Sequence, residues 1–364
     1  MQSPFAHDRL PRVEEFYGRS RELSRINQAI HHSTNLLIHS KRRMGKSALI
    51  RHALAQQAND TLCLYADIFH ITSKEGFAQA LLDALASAHK GDLKSTIKKL
   101  TSLLKRVRVE PAIDPHTLEY TIRPVVATLS FEEMLADFMA GIETIAQQQR
   151  IAVAIDEFQQ IATIGDVRLD ALLRSHIQQH HNITWIFLGS KRHLLTSLFE
   201  YSAPLYEMAT HFELPPLCLD EIEAYATRHL NIERAQIEHV YTLADGETKL
   251  LQNILHLLYL EREHPVTPES IDRALDEIIA SKDTSYRMLF DTLSQNQKTA
   301  LKIVGKQKRA VYNASILQEH HIKKQTLQSA IDALLGREIL DRDGDRYFLP
   351  DRTLELWVER LSPV

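Results

Sequence analysis

Short β-branched apolar runs alternate with helical patterns through the first two-thirds of the chain. That alternation predicts a parallel sheet covered by helices on both faces. Asn35–Ile38 reads as a buried strand, and a loop then leads into a helix from about Lys46 to Gln57. Thr61–Ile68, Ile151–Ile155 and Ile183–Leu188 read as further strands, with His211–Leu214 as a short last one before Pro215-Pro216. Helices are predicted over Gly76–His89, Phe131–Gln149 and Leu169–His180. One stretch, about 90–127, interrupts this order. Its first part, Asp92–Lys105, places Leu93, Ile97, Leu100 and Leu104 on one helical face. Arg106–Ile113 and Leu118–Arg123 then flank Asp114-Pro115-His116-Thr117 as an inserted hairpin.

After Pro216 the β pattern stops, and residues from about 219 to 290 read as helices with short loops. The remainder changes again. Helices over Gln295–Val304, Ala314–Glu319 and Lys324–Leu335 are followed by Ile339–Leu340 and Arg346–Leu349, which flank Arg342-Asp343-Gly344-Asp345. Asp-Gly suits a hairpin turn that needs positive φ. Three helices and then a hairpin is the order of a winged helix-turn-helix.

A chain of 364 residues is too long for one typical domain, and 44% apolar with 25% charged residues is ordinary globular composition. A net charge of −4 does not suit a protein that coats nucleic acid by bulk charge. Cys63 and Cys218 lie far apart with no Cys/His cluster, which argues for a reducing compartment and against zinc. The nineteen histidines include the pairs His31-His32, His180-His181 and His320-His321, none at ligand spacing to carboxylates or cysteine. Met1–Pro11 shows no apolar signal core, and no apolar run approaches membrane-spanning length, so a cytoplasmic location is expected.

The segment Ser40-Lys41-Arg42-Arg43-Met44-Gly45-Lys46-Ser47 fits GxxxxGK[ST] at every defined position except the first. Between a strand and a helix, such a loop points successive backbone N–H groups at phosphates. Lys46 is expected to reach the β/γ-phosphates and the Ser47 hydroxyl to ligate Mg²⁺. Ser40 stands where glycine normally permits the turn, which serine can do at negative φ. About 110 residues later, the apolar strand Ile151–Ile155 ends in Asp156-Glu157. In a P-loop sheet that strand delivers an acid to Mg²⁺, here Asp156, and Glu157 would polarise the attacking water.

These features resemble the AAA+ superfamily, and within it the prokaryotic STAND and archaeal-ATPase group. Phe16-Tyr17-Gly18-Arg19-Ser20-Arg21-Glu22-Leu23 is similar to the family's F-x-G-R-x-x-E-L box, Lys41–Ser47 to its R-R-x-G-K-[ST] loop, and Ile155–Gln159 to its I-D-E-[FA]-Q box. Trp185–Ser190 resembles the sensor-1 strand, and Leu214–Leu217 the junction into a helical lid. The resemblance implies ATP/ADP and Mg²⁺ as cofactors. Gly18 and Arg19 would then line the adenine pocket, Arg43, Met44, Gly45, Lys46, Ser47 and Ala48 would cradle phosphates, and Ser190 would lie near the γ-phosphate. Thr248 departs from the proline expected in the lid's G-x-P, and Lys249 stands either as the sensor-2 cation or as a surface lysine. No arginine finger is assignable, with Arg174, Arg192 and Arg228 as candidates; without one, hydrolysis should be slow.

The expected architecture is therefore α/β: a P-loop AAA+ parallel-sheet core over 1–216 with its insertion, a helical lid over 217–290 and a winged helix-turn-helix over 291–364. Lys90, Lys94, Lys98, Lys99, Lys105, Arg106 and Arg108 face only Asp92 over residues 90–108. Lys94, Lys98 and Lys105 fall near one face, suited either to phosphate backbones or simply to solvent. Lys323, Lys324, Gln325, Thr326 and Gln328 open the presumed recognition helix, and Arg342 and Arg346 flank the wing beside Asp341, Asp343 and Asp345. DNA and a protein partner remain equal readings of that domain, and a homo-oligomer is an open expectation. The leading function is an ATP-driven switch; the alternatives are a nucleotide-binding scaffold with little turnover and a winged-helix DNA-binding regulator.

Overall fold

The computed structural model describes residues 3–57, 60–88, 93–113, 120–126, 129–165, 168–190, 195, 197–261 and 264–361. The chain forms two compact units. One comprises Arg19–Lys41 with Gly45–Pro215; the other comprises Met1–Gly18, Arg42–Met44 and Pro216–Val364.

The first unit is built on α1 (Ser20–His31), β1 (Leu36–His39), α2 (Lys46–Ala55), β2 (Thr61–Asp67) and α3 (Lys74–Ala88). There follow α4 (Leu93–Leu103), β3 (Arg108–Ile113), β4 (Tyr120–Val125), α5 (Phe131–Ala146), β5 (Arg150–Asp156), α6 (Leu169–Ile177), β6 (Ile183–Gly189) and β7 (Thr210–Glu213). Five strands make a parallel sheet in the order β2-β5-β6-β1-β7. β1 and β6 are buried along their whole length, as is β5 beyond Arg150. A sheet covered on both faces selects such continuous apolar runs over alternating ones. Each predicted sheet strand is present, with ends displaced by one residue at most.

The insertion is α4 followed by an antiparallel β3–β4 hairpin whose register pairs Glu110 with Arg123. Leu100 and Leu104 are buried as their helical spacing predicts; the side chains of Leu93 and Ile97, and the turn Asp114–Thr117, lie outside the described residues. Asp137, buried in α5, accepts from the backbone N–H groups of Arg106 and Val107 and so ties the start of the hairpin down.

The second unit is helical. It contains α7 (Leu219–Ala226), α8 (Arg234–Ala244), α9 (Thr248–Leu260), α10 (Pro268–Asp291), α11 (Gln295–Lys306), α12 (Ala314–Glu319) and α13 (Lys324–Gly336). The hairpin β8 (Asp341–Asp343) and β9 (Arg346–Phe348) precedes a closing helix, α14 (Arg352–Glu359). Capping boxes set three of the starts, one of them through Glu233 and Gln236. Thr267 accepts from Ser270 with Pro268 at the first helical position, and Ser294 accepts from Gln297.

The order α11–α12–α13–hairpin is the one the pattern predicts. The strand expected at Ile339–Leu340 instead forms at Asp341–Asp343, because Ile339 and Leu340 are taken into the core as α13 ends. The pattern gives no element after Leu349, whereas α14 forms there with Asp351 capping it through the Leu354 N–H. Trp357 lies 5.7 Å from the Tyr286 ring and 5.8 Å from Phe290, and donates to Asp283 at 2.8 Å. One apolar core thereby runs from α7–α10 into the C-terminal helices and includes Phe5. Among the described residues, no helix is long and apolar enough to cross a membrane.

Candidate nucleotide-binding site

In open α/β sheets, ligand sites form beyond the carboxyl ends of the strands. In the first unit, the ends of β1, β5 and β6 bring together Ser40, Lys46, Ser47, Asp156, Glu157 and Ser190. Gly45 caps α2 at φ 87°, a left-handed turn that glycine adopts without steric cost. Ser40 is not among the residues of positive φ, as its place in the loop requires. Its hydroxyl has a further use: Lys46 Nζ, buried in the site, lies 3.1 Å from Ser40 Oγ, 3.4 Å from Ser40 O and 3.3 Å from Lys41 O.

Asp156 ends β5 and is 3% exposed. Its Oδ2 accepts from Ser47 Oγ and from the Tyr65 hydroxyl, each at 2.5 Å, and its Oδ1 accepts from the Glu157 N–H at 3.0 Å. Tyr65 comes from the neighbouring strand β2, in register with Ala154. Burial, and then the Asp156 carboxylate, push the Tyr65 hydroxyl well above the usual phenol range. The Arg51 guanidinium lies 4.0 Å over its ring.

Glu157 occupies the left-handed region at φ 55°, which turns its side chain away from the line of the strand. Its carboxylate accepts from Gln159 Nε2 at 2.5 Å and from Ser190 Oγ at 3.0 and 3.3 Å. Gln159 is fully buried, and among the described residues its Oε1 has no hydrogen-bond partner. A Cβ at Gly189 would lie 2.2 Å from that oxygen, so β6 needs glycine there to admit Gln159.

The oxygens of Ser47 and Asp156 form a hard donor pair of the kind that holds Mg²⁺ together with phosphates and waters. Among the described residues there is no group of three or more His, Cys, Asp or Glu that could bind a metal alone. The residues present therefore fit a cation that arrives with a phosphate ligand.

The other predicted positions fall as follows. Arg19, 3% exposed at φ 68°, donates to Glu22 Oε1 at 3.1 Å and to Pro215 O at 2.5 Å. Ala48 is the third residue of α2 and half-buried. Gly18, Arg43, Met44 and Lys249 belong to the second unit. Gly18, at φ 71°, packs closely enough that a Cβ would lie 3.0 Å from Glu221 Oε2 and 3.1 Å from Leu217 Cδ2. Arg43, at φ 65°, pairs with Asp351 at 2.5 Å and with Glu247 at 3.5 Å. Burial works against the Arg43 charge, but the two carboxylates outweigh it and raise its pKa. Glu247 is itself buried, and desolvation pushes its carboxyl up to about 7. Met44 O accepts from Thr248 Oγ1 at 3.1 Å, and Lys249 is exposed with its N–H on Arg43 O at 3.2 Å. Thr248, standing where proline was expected, thus uses a hydroxyl that proline lacks.

Of the basic candidates, Lys98, Lys105, Lys323 and Lys324 are exposed and Arg346 is half-buried, whereas the side chain of Lys94 lies outside the described residues. Lys324 Nζ sits 5.9 Å from the Tyr312 ring. Arg174 donates to Pro204 O at 2.8 Å, Arg228 is exposed, and Arg192 lies outside the described residues. Sequence reading assigns no role to Tyr65 or Gln159, nor does it foresee the Arg43–Asp351 pair. Gln159 sits in the motif that carries Asp156 and Glu157, whereas Tyr65 reads as one more strand aromatic.

The fold is that of an α/β ATPase domain followed by a winged helix. The chain belongs to the family described as an ATPase domain predominantly from Archaea, whose model matches residues 16–254. A probable winged helix domain matches residues 284–360. A Walker-type ATPase of Pyrococcus abyssi is similar over 98% of this chain and 99% of its own, at 18% identity and a TM-score of 0.65. The Aeropyrum pernix ORC2 protein, solved as ADPNP–ADP complexes, is similar over 97% and 96% at 13% identity and 0.56. The Aeropyrum pernix ORC1 protein in complex with DNA is similar over 98% and 95% at 15% identity and 0.53. At these identities the likeness is one of fold. No curated protein matches the chain.

Proposed function

We propose that this protein is a Mg²⁺-dependent ATPase that works as a molecular switch, with its nucleotide state governing engagement of DNA or a partner protein. The observation that carries the reading is the contiguous set of buried Lys46, Ser47 on Asp156 at 2.5 Å, and Glu157 beside Ser190. Ser47 and Asp156 would hold Mg²⁺, which when bound neutralises charge on the β- and γ-phosphates. Lys46 exchanges its neutral oxygen partners on Ser40 and Lys41 for phosphate oxygens, a stronger charge-assisted contact. Glu157 takes a proton from the attacking water, and the Ser190 hydroxyl orients that carboxylate or the γ-phosphate. The core, a lid over 217–290 and a winged helix over 291–364 are the parts of the switch.

Exposed Lys98 and Lys105 on the insertion, and Lys323, Lys324 and Arg346 on the winged helix, are the proposed contacts to a phosphate backbone. The likeness to a DNA-bound ORC1 supports DNA as the partner to test first. A second reading, nucleotide binding with little turnover, is favoured by the engagement of both Glu157 oxygens by Gln159 and Ser190. Steady-state ATP turnover, with and without duplex DNA, separates the readings. Turnover abolished by Lys46→Ala is the expected result; none under any condition, with tight nucleotide retention, would leave the scaffold reading.

A further inference from the structure

Asp156 is held by more donors than metal binding alone needs. The Glu157 N–H fixes Oδ1, while Oδ2 is shared by Ser47 and Tyr65. The two donors on Oδ2 differ in origin. Ser47 stands on the first turn of α2, directly after the phosphate loop. Tyr65 stands on β2, which is paired with β5 from Thr61–Arg150 through Asp67–Asp156. The Tyr65–Asp156 contact is therefore set by strand register and does not depend on the loop. When Ser47 turns its oxygen toward a cation, its hold on Oδ2 loosens, and Tyr65 is the donor that stays.

The phenol is itself restrained. Arg51 lies four residues after Ser47, so both side chains leave the same face of α2. Ser47 reaches the carboxylate, and the Arg51 guanidinium lies 4.0 Å over the Tyr65 ring. One helix face thus contacts both members of the Tyr65–Asp156 pair. Phenylalanine would pack in β2 as well as tyrosine; the hydroxyl is what reaches Asp156.

We propose that Tyr65 is a positioning residue for the divalent cation, keeping Asp156 Oδ2 aimed at the metal through its hydroxyl. The inference rests on the Mg-nucleotide reading of this site. Its test uses the full-length protein and a fluorescent N-methylanthraniloyl-ATP, titrated with Mg²⁺ and also bound in excess EDTA. Tyr65→Phe keeps the ring under Arg51, so the fold should hold, and its melting temperature checks this. The Mg²⁺ concentration for half-maximal binding is expected to rise roughly tenfold, as for a lost hydrogen bond to a charged acceptor. Binding in EDTA is expected to stay within about twofold, which a purely structural role for the residue would not predict. Arg51→Leu, which frees the ring, should give a smaller rise in the same direction. An unchanged Mg²⁺ requirement in Tyr65→Phe, or an equal loss with and without metal, overturns the inference while leaving the nucleotide site intact. A wild-type protein whose binding ignores Mg²⁺ overturns the site reading, and this inference with it.

Discussion

The side-chain amide nitrogen of Gln159 donates to Glu157 Oε2 at 2.5 Å, while its own Oε1, equally buried, meets no donor among the described residues. An unpaired buried carbonyl costs free energy. The side chain is tolerated in that position because its nitrogen fixes a carboxylate at the site, and Gly189 leaves it room.

Gly189→Ala follows directly from that packing. Its Cβ would stand 2.2 Å from Gln159 Oε1, and a fully buried glutamine has no free direction to retreat. The variant is expected to lose about 1–3 kcal/mol of stability by overpacking. Turnover should fall by roughly tenfold or more as Glu157 loses its aim, within the range general-base catalysis contributes. Nucleotide affinity should change little. Melting and steady-state kinetics check both parts, and wild-type values for each would refute the packing account.

Glu247 makes the stability of the second unit depend on pH. Burial is the largest cause of its rise from 4.5 to about 7, opposed by Arg43 and the Arg352 N–H, with Asp351 adding to the rise. Folding therefore takes up a proton between these values. The contribution is fully present below about pH 4.5 and is lost as pH rises through about 7. The whole effect is on the order of 3 kcal/mol. Urea midpoints across this window should fall with pH in the wild type and level out in Glu247→Gln. An equal slope in both proteins would rule Glu247 out as the source.

The Arg43–Asp351 pair should show measurable coupling. The Arg43 side chain is 37% exposed, so solvent screens the pair, and a double-mutant cycle with Arg43→Ala and Asp351→Asn should give about 1 kcal/mol. Arg43→Ala alone leaves Glu247 with less opposing charge and should raise its carboxyl further. Additive effects in the cycle would show the contact to be energetically silent.

Trp357 joins α10 to the C-terminal helices. Trp357→Ala removes the ring between Tyr286 and Phe290 and leaves Asp283 without its indole donor. The expected cost is about 3–5 kcal/mol. Amide exchange should speed up in α10 and in α11–α14 together, because they share a core. Faster exchange confined to α14 would show the two segments to be independent.

Much of this is legible in the sequence. Continuous apolar runs locate β1, β5 and β6 because a sheet buried on both faces selects them. Ser40–Ser47 and Asp156-Glu157 are legible because each motif lies within a few consecutive residues. Ser40 reads as a departure from the loop pattern, and only the folded loop reveals its hydroxyl as a partner of Lys46. The contact of Tyr65 with Asp156 and the pairing of Arg43 with Glu247 and Asp351 are invisible at that level. The first depends on register between strands some ninety residues apart, and the second on side chains drawn from three distant segments. Helix α14 escapes notice because Thr353 through Val358 are all buried, so no polar face marks a helical period.

The most direct test of the central claim is the nucleotide bound to Glu157→Gln after incubation with Mg-ATP, beside wild type and Lys46→Ala. If Glu157 is the base at a site built by Lys46, Ser47 and Asp156, the Glu157→Gln protein retains unhydrolysed ATP. Wild type should then hold ADP, and Lys46→Ala should hold neither. Wild-type hydrolysis by Glu157→Gln, or undiminished ATP binding by Lys46→Ala, would contradict the account.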